Sequence, residues 1–141
     1  MAKCKVKPDN ETFHFSNLNP KQESTGDCVI RAVAAFLGIS WESAYRQLAE
    51  WGIEHATAID CPENYGPFLL DKGFGKERMP RREDRTKYTA EEFCKEIAQP
   101  GCVYILSLAN HLAFVGPDQR IWDTWDCGFK SVGNYWIGTT K

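Results

Sequence analysis

The sequence lacks the features that mark secreted, membrane-spanning and nucleic-acid-binding proteins. No apolar run near its start resembles a signal peptide, and no segment approaches the ~18 consecutive apolar residues of a transmembrane helix. Its 17 basic residues are outnumbered by 19 acidic ones, so the net charge of −2 offers no general attraction to nucleic acid or anionic membranes. We therefore expect a cytoplasmic protein that binds neither nucleic acid nor membrane.

Motifs for metal, nucleotide and serine-hydrolase chemistry are also absent. The six cysteines and three histidines include no C-x-x-C or H-x-x-x-H pair, and the nearest pairing, His55 with Cys61, is isolated. There is no G-x-S-x-G elbow and no glycine-rich phosphate loop. We therefore expect no metal and no cofactor. In a reducing compartment the cysteines should be free thiols.

No internal repeat, low-complexity tract or Gly/Ser linker divides the sequence. At 141 residues, 43% of them hydrophobic, it has the size and composition of a single globular domain spanning residues 1–141. Residues 1–20 are polar and predict an N-terminal arm with a short strand at 12–16. Residues 73–88 form a basic loop, but acidic residues interleave with its arginines and lysines, which favours a solvated loop over a nucleic-acid contact.

Hydrophobic periodicity and capping residues predict four helices in the first two thirds of the chain. Gly38 ends a helix that is apolar nearly all round and is therefore central and buried. Ser40 is a suitable N-cap for the second helix, and Thr89 with Glu92 forms a capping box for the fourth. The predicted ranges are 27–37, 41–51, 66–72 and a fourth helix from residue 90 to the turn at 100–101.

Short β-branched or aromatic runs, separated by turn residues, follow these helices. They predict strands at 102–108, 111–115, 120–125 and 135–137. Helices first and strands afterwards favour an α+β domain, in which N-terminal helices pack on a C-terminal antiparallel β-sheet.

Cys28 lies where a loop becomes the central helix, in the stretch "QESTGDCVIRA". The free N–H groups and the dipole of a helix N-terminus stabilise a thiolate, and a neighbouring imidazolium stabilises it further. The same position also suits an inert cysteine that is the first buried residue of a core helix. Gln22, six residues earlier, has an amide that can donate to an oxyanion beside the Cys28 backbone N–H, although an exposed glutamine is commonplace.

His111 is the histidine framed by predicted strands, and Asp123 lies on the strand that follows. A two-residue hairpin loop would pair His111 with Thr124 and put Asp123 on the opposite face. A loop of three or five residues instead pairs Val115 with Ile121, which makes His111 and Asp123 neighbours on one face. The same register gathers three apolar side chains on the core face, namely Leu112, Phe114 and Trp122. Only this register puts the apolar side chains together on the core face and His111 beside Asp123 on the other face, so we predict it.

These residues, in this order, resemble the pattern of the papain-like cysteine peptidases. Glutamine and cysteine stand six apart at a helix start, a histidine opens the strand "HLAFVG", and "DTW" stands where papain-like enzymes carry "NSW". By this resemblance Gln22 is the oxyanion glutamine, Cys28 the nucleophile and His111 the general base. Asp123 would orient the histidine, and Trp125 would shield the hydrogen bond between them from water. Aspartate in place of asparagine is similar to bacterial branches such as the bacteriocin-processing peptidases.

The resemblance implies a papain-like fold with the nucleophile at the start of the central helix. It also implies a thiol hydrolase that cleaves peptide or isopeptide bonds of a peptide or protein substrate through a Cys-His-Asp triad and an acyl-enzyme. The chain is much shorter than papain, and "GDCVIRA" lacks the glycine–serine–cysteine–tryptophan signature. A closer family is not identified.

Two alternatives remain open on the sequence. One is a transglutaminase- or deamidase-type acyl transferase on the same fold, since a thioester does not dictate what attacks it. The other is a non-catalytic binding module in which Cys28 is structural. If the site is a thiol enzyme, Asp123→Asn should keep clearly more activity than Asp123→Ala, because a protonated histidine can donate to an asparagine oxygen as well.

Overall fold

A computed structural model describes residues 2–140, which form four helices and five strands. The helices are α1 (Cys28–Leu37), α2 (Trp41–His55), α3 (Pro62–Asp71) and α4 (Ala90–Glu96). The strands are β1 (Phe13–Phe15), β2 (Cys102–Leu108), β3 (His111–Val115), β4 (Ile121–Asp123) and β5 (Tyr135–Thr139). The predicted α+β class is confirmed. None of the helices in residues 2–140 is long and apolar enough to cross a bilayer.

The strands form one sheet in the order β1-β4-β3-β2-β5. The four C-terminal strands pair antiparallel, as predicted. β1 pairs parallel with β4, with Phe13 opposite Ile121, so the sheet is mixed and the prediction of a wholly antiparallel sheet is wrong for this pair. Parallel strands need a long connection between them, and β1 and β4 lie near opposite ends of the chain. The arm thereby covers an edge of β4 that would otherwise be unpaired.

The β3–β4 hairpin has the predicted register. Val115 lies opposite Ile121, and Phe114 lies opposite Trp122. Leu112 and Phe114 are buried in the cluster that includes α1, and Trp122 packs partly buried against it. The register brings the start of β3 and the end of β4 to the same end of the sheet.

α1 is the central helix and packs against β2, β3 and α2. Its apolar sequence is reflected in its buried residues, which are Val29, Ile30, Ala32, Val33, Ala34 and Phe36. Gly38 ends the helix, as predicted, in the left-handed conformation at φ 68°. A second apolar cluster fills the opposite face of the sheet, beneath α4.

The basic loop is anchored to α4 by one of its arginines. The predicted capping box is confirmed, because Thr89 and Glu92 exchange side-chain and backbone hydrogen bonds at the start of the helix. Arg82 forms ion pairs with Glu92 at 3.1 Å and with Glu96 at 3.0 Å. Its guanidinium also lies over the ring of Tyr88 at 4.2 Å.

α2 and α3 are longer than predicted. α2 begins after its predicted cap, Ser40, but continues past Gly52 to His55. α3 begins at Pro62 rather than at residue 66. Proline suits the first helical turn because the N–H groups there have no partner within the helix, so its missing N–H costs no hydrogen bond.

Gly52 lies where α2 and α3 approach each other. A Cβ at this position would lie 2.7 Å from the carbonyl oxygen of Thr57 and 3.3 Å from the Asn64 side chain. Asn64 is fully buried, and its amide donates to the carbonyls of Leu48 at 3.1 Å and Ile59 at 2.9 Å. It accepts from the Thr57 hydroxyl at 2.6 Å. The glycine therefore leaves room for the hydrogen bonds that join the two helices.

Alanine substitutions at two helical glycines should have unequal effects on stability. Gly52→Ala should lower the free energy of unfolding by about 1–3 kcal/mol, because its Cβ would crowd a backbone carbonyl. Gly66→Ala, in α3, meets nothing within 4 Å beyond its chain neighbours and should change it much less, because the better helix propensity of alanine is offset by its Cβ against the ring of Pro67. Urea unfolding measures both. Equal changes in the two variants would contradict the tight contact at Gly52.

Candidate active site

Cys28 is the first residue of α1, and the helix N-terminus around it is left open. Asp27 is the N-cap residue, but its side chain makes no capping hydrogen bond. Within residues 2–140 the backbone N–H of Cys28 has no acceptor. Free N–H groups at a helix N-terminus favour negative charge, so this end of α1 stabilises a thiolate and can receive an oxyanion.

His111 and Asp123 form a buried hydrogen-bonded pair. Nε2 of His111 lies 2.6 Å from Oδ2 of Asp123, and their side chains are 7% and 2% exposed. The Cys28 thiol lies beside the same imidazole, close enough for each group to shift the pKa of the other. Because Asp123 occupies Nε2, Nδ1 is the ring nitrogen left for the thiol. The structure thus brings the predicted nucleophile, base and orienting carboxylate together.

The charges in this cluster stabilise a thiolate–imidazolium pair. Burial opposes ionisation of Cys28, but the neighbouring His111 ring and Leu112 N–H, together with the charge of Arg31, lower the thiol pKa below 9.0. Burial also opposes the charge on His111, yet its hydrogen bonds, above all to Asp123, raise the imidazole pKa from 6.5 to about 11. Burial works against the Asp123 carboxylate as well, while His111 and Arg31 lower its pKa below 3.8.

Trp125 lies against the His111 ring. The two ring centroids are 4.9 Å apart at an interplanar angle of 50°, and Phe129 packs on the tryptophan at 6.3 Å. The indole is therefore placed where the resemblance predicts a shield for the bond between His111 and Asp123. Exclusion of water from that bond lowers the local dielectric and strengthens it.

Gln22 lies in the turn before α1, in the left-handed conformation with φ 55°. Its amide nitrogen donates to the backbone carbonyls of Asn17 at 2.8 Å and Asn19 at 2.9 Å. An amide group has two hydrogens, so both are used within the turn. The structure therefore does not bring Gln22 to Cys28 as a free donor, and one of these bonds must open before the amide can reach a substrate oxygen.

Arg31, one turn along α1 from Cys28, is a member of the cluster that the sequence analysis missed. Its Nη1 donates to Oδ1 of Asp123 at 2.9 Å, and its Nε donates to Oδ1 of Asp27 at 2.8 Å. The other oxygen of Asp27 accepts from Asn19 at 3.1 Å and from Trp41 at 2.9 Å. The available signal was a single charged residue in the otherwise apolar helix "CVIRAVAAFL".

Two further side chains border the cluster. Tyr65, on α3, is 6% exposed, and burial together with the charge of Cys28 raises the pKa of its phenol. Cys127 follows β4 and is fully buried, with its sulfur 3.7 Å from Oδ2 of Asp123. Cys28 is therefore flanked by a phenol from α3, while the His111–Asp123 pair is flanked by a second thiol.

The cluster contains three potential metal-ligand atoms within 4.8 Å of one another, from His111, Asp123 and Cys127. Its charges do not suit a cation. Burial raises the pKa of the Cys127 thiol above 9.0, and the Arg31 guanidinium, 2.9 Å from Asp123, would repel a metal ion. A metal would also have to replace the hydrogen bond between His111 and Asp123. We therefore interpret the cluster as a network of hydrogen-bonded charged groups and not as a metal site.

Comparisons of the chain with protein-family models, curated proteins and solved structures found no match. The functional assignment therefore rests on the residues and the geometry of this site.

Cys28 should be the thiol that iodoacetamide alkylates fastest, with a rate that remains high below neutral pH. The helix start and the neighbouring imidazole favour its thiolate and lower its pKa, whereas burial raises the pKa of Cys94 to about 12 and that of Cys127 above 9.0. Mass spectrometry of partly alkylated protein follows each cysteine separately. His111→Gln should give Cys28 the pH dependence of an ordinary thiol. Labelling led by Cys4 or Cys127 would contradict the site.

Proposed function

We propose that this protein is a papain-like thiol hydrolase that cleaves peptide or isopeptide bonds with Cys28, His111 and Asp123. The observation that carries the proposal is a cysteine at a helix start beside an imidazole, which a buried carboxylate holds at 2.6 Å. A buried ion pair adds little net stability compared with apolar packing. Its presence beside a helix-start thiol therefore favours chemistry over a purely structural role.

The reaction follows from the charges of the cluster. The Cys28 thiolate attacks the substrate carbonyl carbon, and the carbonyl oxygen takes up the negative charge beside the free Cys28 N–H. As the C–N bond breaks, His111 gives its Nδ1 proton to the departing amine and a thioester remains. Neutral His111 then takes a proton from water as the water oxygen attacks the thioester. The acid product leaves, and the sulfur returns as the thiolate beside a protonated His111.

Asp123 holds the histidine in one orientation through this cycle. Its hydrogen bond to Nε2 keeps Nδ1 directed at the sulfur, whether the ring is charged or neutral. An amine that reached the thioester would give acyl transfer by the same steps. Hydrolysis and transfer are therefore distinguished by their products and not by the cluster.

Incubation with a mixture of peptides in water labelled with heavy oxygen should produce fragments whose new carboxyl groups carry the label. Cys28→Ala should produce none, because the nucleophile is gone. Cys102→Ala, which alters a partly buried cysteine on β2, should stay active as the matched control. Mass spectrometry detects both the cleaved fragments and the heavy oxygen in their new carboxyl groups. New amide bonds without label would indicate an acyl transferase, and unchanged peptides in the wild type would contradict the hydrolase.

Gln22 acts as the oxyanion donor only if substrate binding opens one of its two turn hydrogen bonds. Gln22→Ala should then lower turnover roughly 10- to 1000-fold while leaving the Cys28 alkylation rate nearly unchanged, because an oxyanion donor acts on the transition state and not on the thiolate. The neighbouring exposed residue offers a control, Lys21→Ala, which should change neither rate. A lower melting temperature with unchanged turnover of the folded protein would mean that Gln22 only holds its turn through Asn17 and Asn19.

A further inference from the structure

Arg31 lies between two buried carboxylates and contacts both. Its side chain is 11% exposed, and those of Asp27 and Asp123 are 5% and 2% exposed. The two hydrogen bonds use different nitrogens of the guanidinium, Nε for Asp27 and Nη1 for Asp123. One rigid group therefore fixes the spacing between the N-cap of α1 and the end of β4.

The contacts of Arg31 extend a series of alternating charges that runs from Cys28 to Asp27. These two residues are adjacent in the chain, so the series begins and ends at the same helix turn. Its members are the Cys28 thiolate, the His111 imidazolium, the Asp123 carboxylate, the Arg31 guanidinium and the Asp27 carboxylate. Each charge has a neighbour of opposite sign, which is what a buried charge requires.

We propose that Arg31 is a positioning residue for the thiol chemistry of Cys28, and that it is the reason why residue 123 must be an aspartate. Arg31 holds Oδ1 of Asp123 so that Oδ2 faces His111. The inference rests on the proposed function, because it assigns Arg31 to the same site.

The hydrogen bonds of Asp123 explain the requirement for a carboxylate. Oδ1 accepts from Arg31 at 2.9 Å and from the Thr124 N–H at 2.7 Å, while Oδ2 accepts from His111 at 2.6 Å. Both oxygens are therefore acceptors toward charged donors. An asparagine has one oxygen, so its NH₂ group must face either the guanidinium or the imidazolium. In either orientation the NH₂ group would point at a buried cation that also needs an acceptor, which is unfavourable.

Removal of Arg31 removes the charged part of this conflict, although the Thr124 N–H, 2.7 Å from Oδ1, still faces that side of the residue. With methionine at position 31, the NH₂ group of an asparagine at 123 no longer meets a guanidinium, and the amide oxygen is free to accept from His111. Asp27 keeps its hydrogen bonds from Asn19 and Trp41. The effects of the two substitutions should therefore not add.

The titratable and charged groups around Cys28 come from every element packed near it. They are His111 on β3, Asp123 on β4, Cys127 after β4, Tyr65 on α3, and Arg31 and Asp27 on α1 and its cap. Since Arg31 is one of the positive members, its replacement by methionine should move the pH midpoint of Cys28 alkylation upward.

The experiment compares Arg31→Met, Asp123→Asn and the double variant with the wild type. Each protein is measured for its melting temperature, its turnover and the pH profile of Cys28 alkylation. Arg31→Met should slow turnover roughly 10- to 100-fold, as expected for the loss of a partner that orients an active group. Asp123→Asn should be slower still. The double variant should recover about ten-fold or more over Asp123→Asn, the size of coupling seen between residues in contact.

Two further variants separate charge, geometry and stability. Arg31→Lys with Asp123→Asn should show no recovery, because an ammonium donor still faces the asparagine amide. Arg46→Met is the matched surface control: Arg46 pairs with Glu42 at the same four-residue spacing, but with side chains 69% and 74% exposed. It should leave the alkylation profile and the turnover unchanged.

The outcomes separate this inference from the proposed function. Recovery in the alkylation profile without peptide hydrolysis by any protein would support Arg31 and overturn the hydrolase. Hydrolysis by the wild type with strictly additive losses in the double variant would overturn the role of Arg31. A lower melting temperature of Arg31→Met with an unchanged alkylation profile would also overturn it, since a purely structural arginine predicts that result.

Discussion

The buried carboxylate of Asp123 is the group on which the helix, the sheet and the site all depend. It is 2% exposed and accepts hydrogen bonds from α1 through Arg31, from β3 through His111 and from its own loop through Thr124. An unpaired carboxylate at this depth would be strongly unfavourable. The docking of α1 on the sheet and the placement of the imidazole must therefore be satisfied together.

The start of α1 lacks a local source of helix stability that its sequence could provide. Asp27 has the side chain preferred at an N-cap, and a capping hydrogen bond contributes about 1 kcal/mol to a helix. Here the carboxylate turns instead toward Arg31, and the first N–H groups of α1 are left without a side-chain cap. The same change leaves the Cys28 N–H free and supplies the series of alternating charges with its last member, the Asp27 carboxylate. Such local losses of stability are common at functional sites.

The polar N-terminal arm contacts both the strand that carries Asp123 and the turn that precedes Cys28. Its strand, β1, lies along β4, and the Ser16 N–H that follows it donates to the Asp123 carbonyl at 2.9 Å. Further toward the N-terminus, the Cys4 N–H donates to the Gln22 carbonyl at 2.9 Å. The arm thus holds the strand that carries the carboxylate and the turn that precedes the nucleophile. Their relative position depends on chain segments that are distant in sequence.

The sequence by itself determined the features that depend on local patterns. Helical periodicity and capping chemistry predicted α1 and the starts of α2 and α4, and alternation along the hairpin predicted the register that places His111 beside Asp123. Tertiary structure alone decided the parallel pairing of β1 with β4. It also decided the use of both Gln22 amide hydrogens in a turn and the bridge from Arg31 to Asp123. The physical reason is that helix caps and strand alternation depend on residues close together in the sequence. The partner of a buried charge depends instead on how distant segments pack in the whole fold.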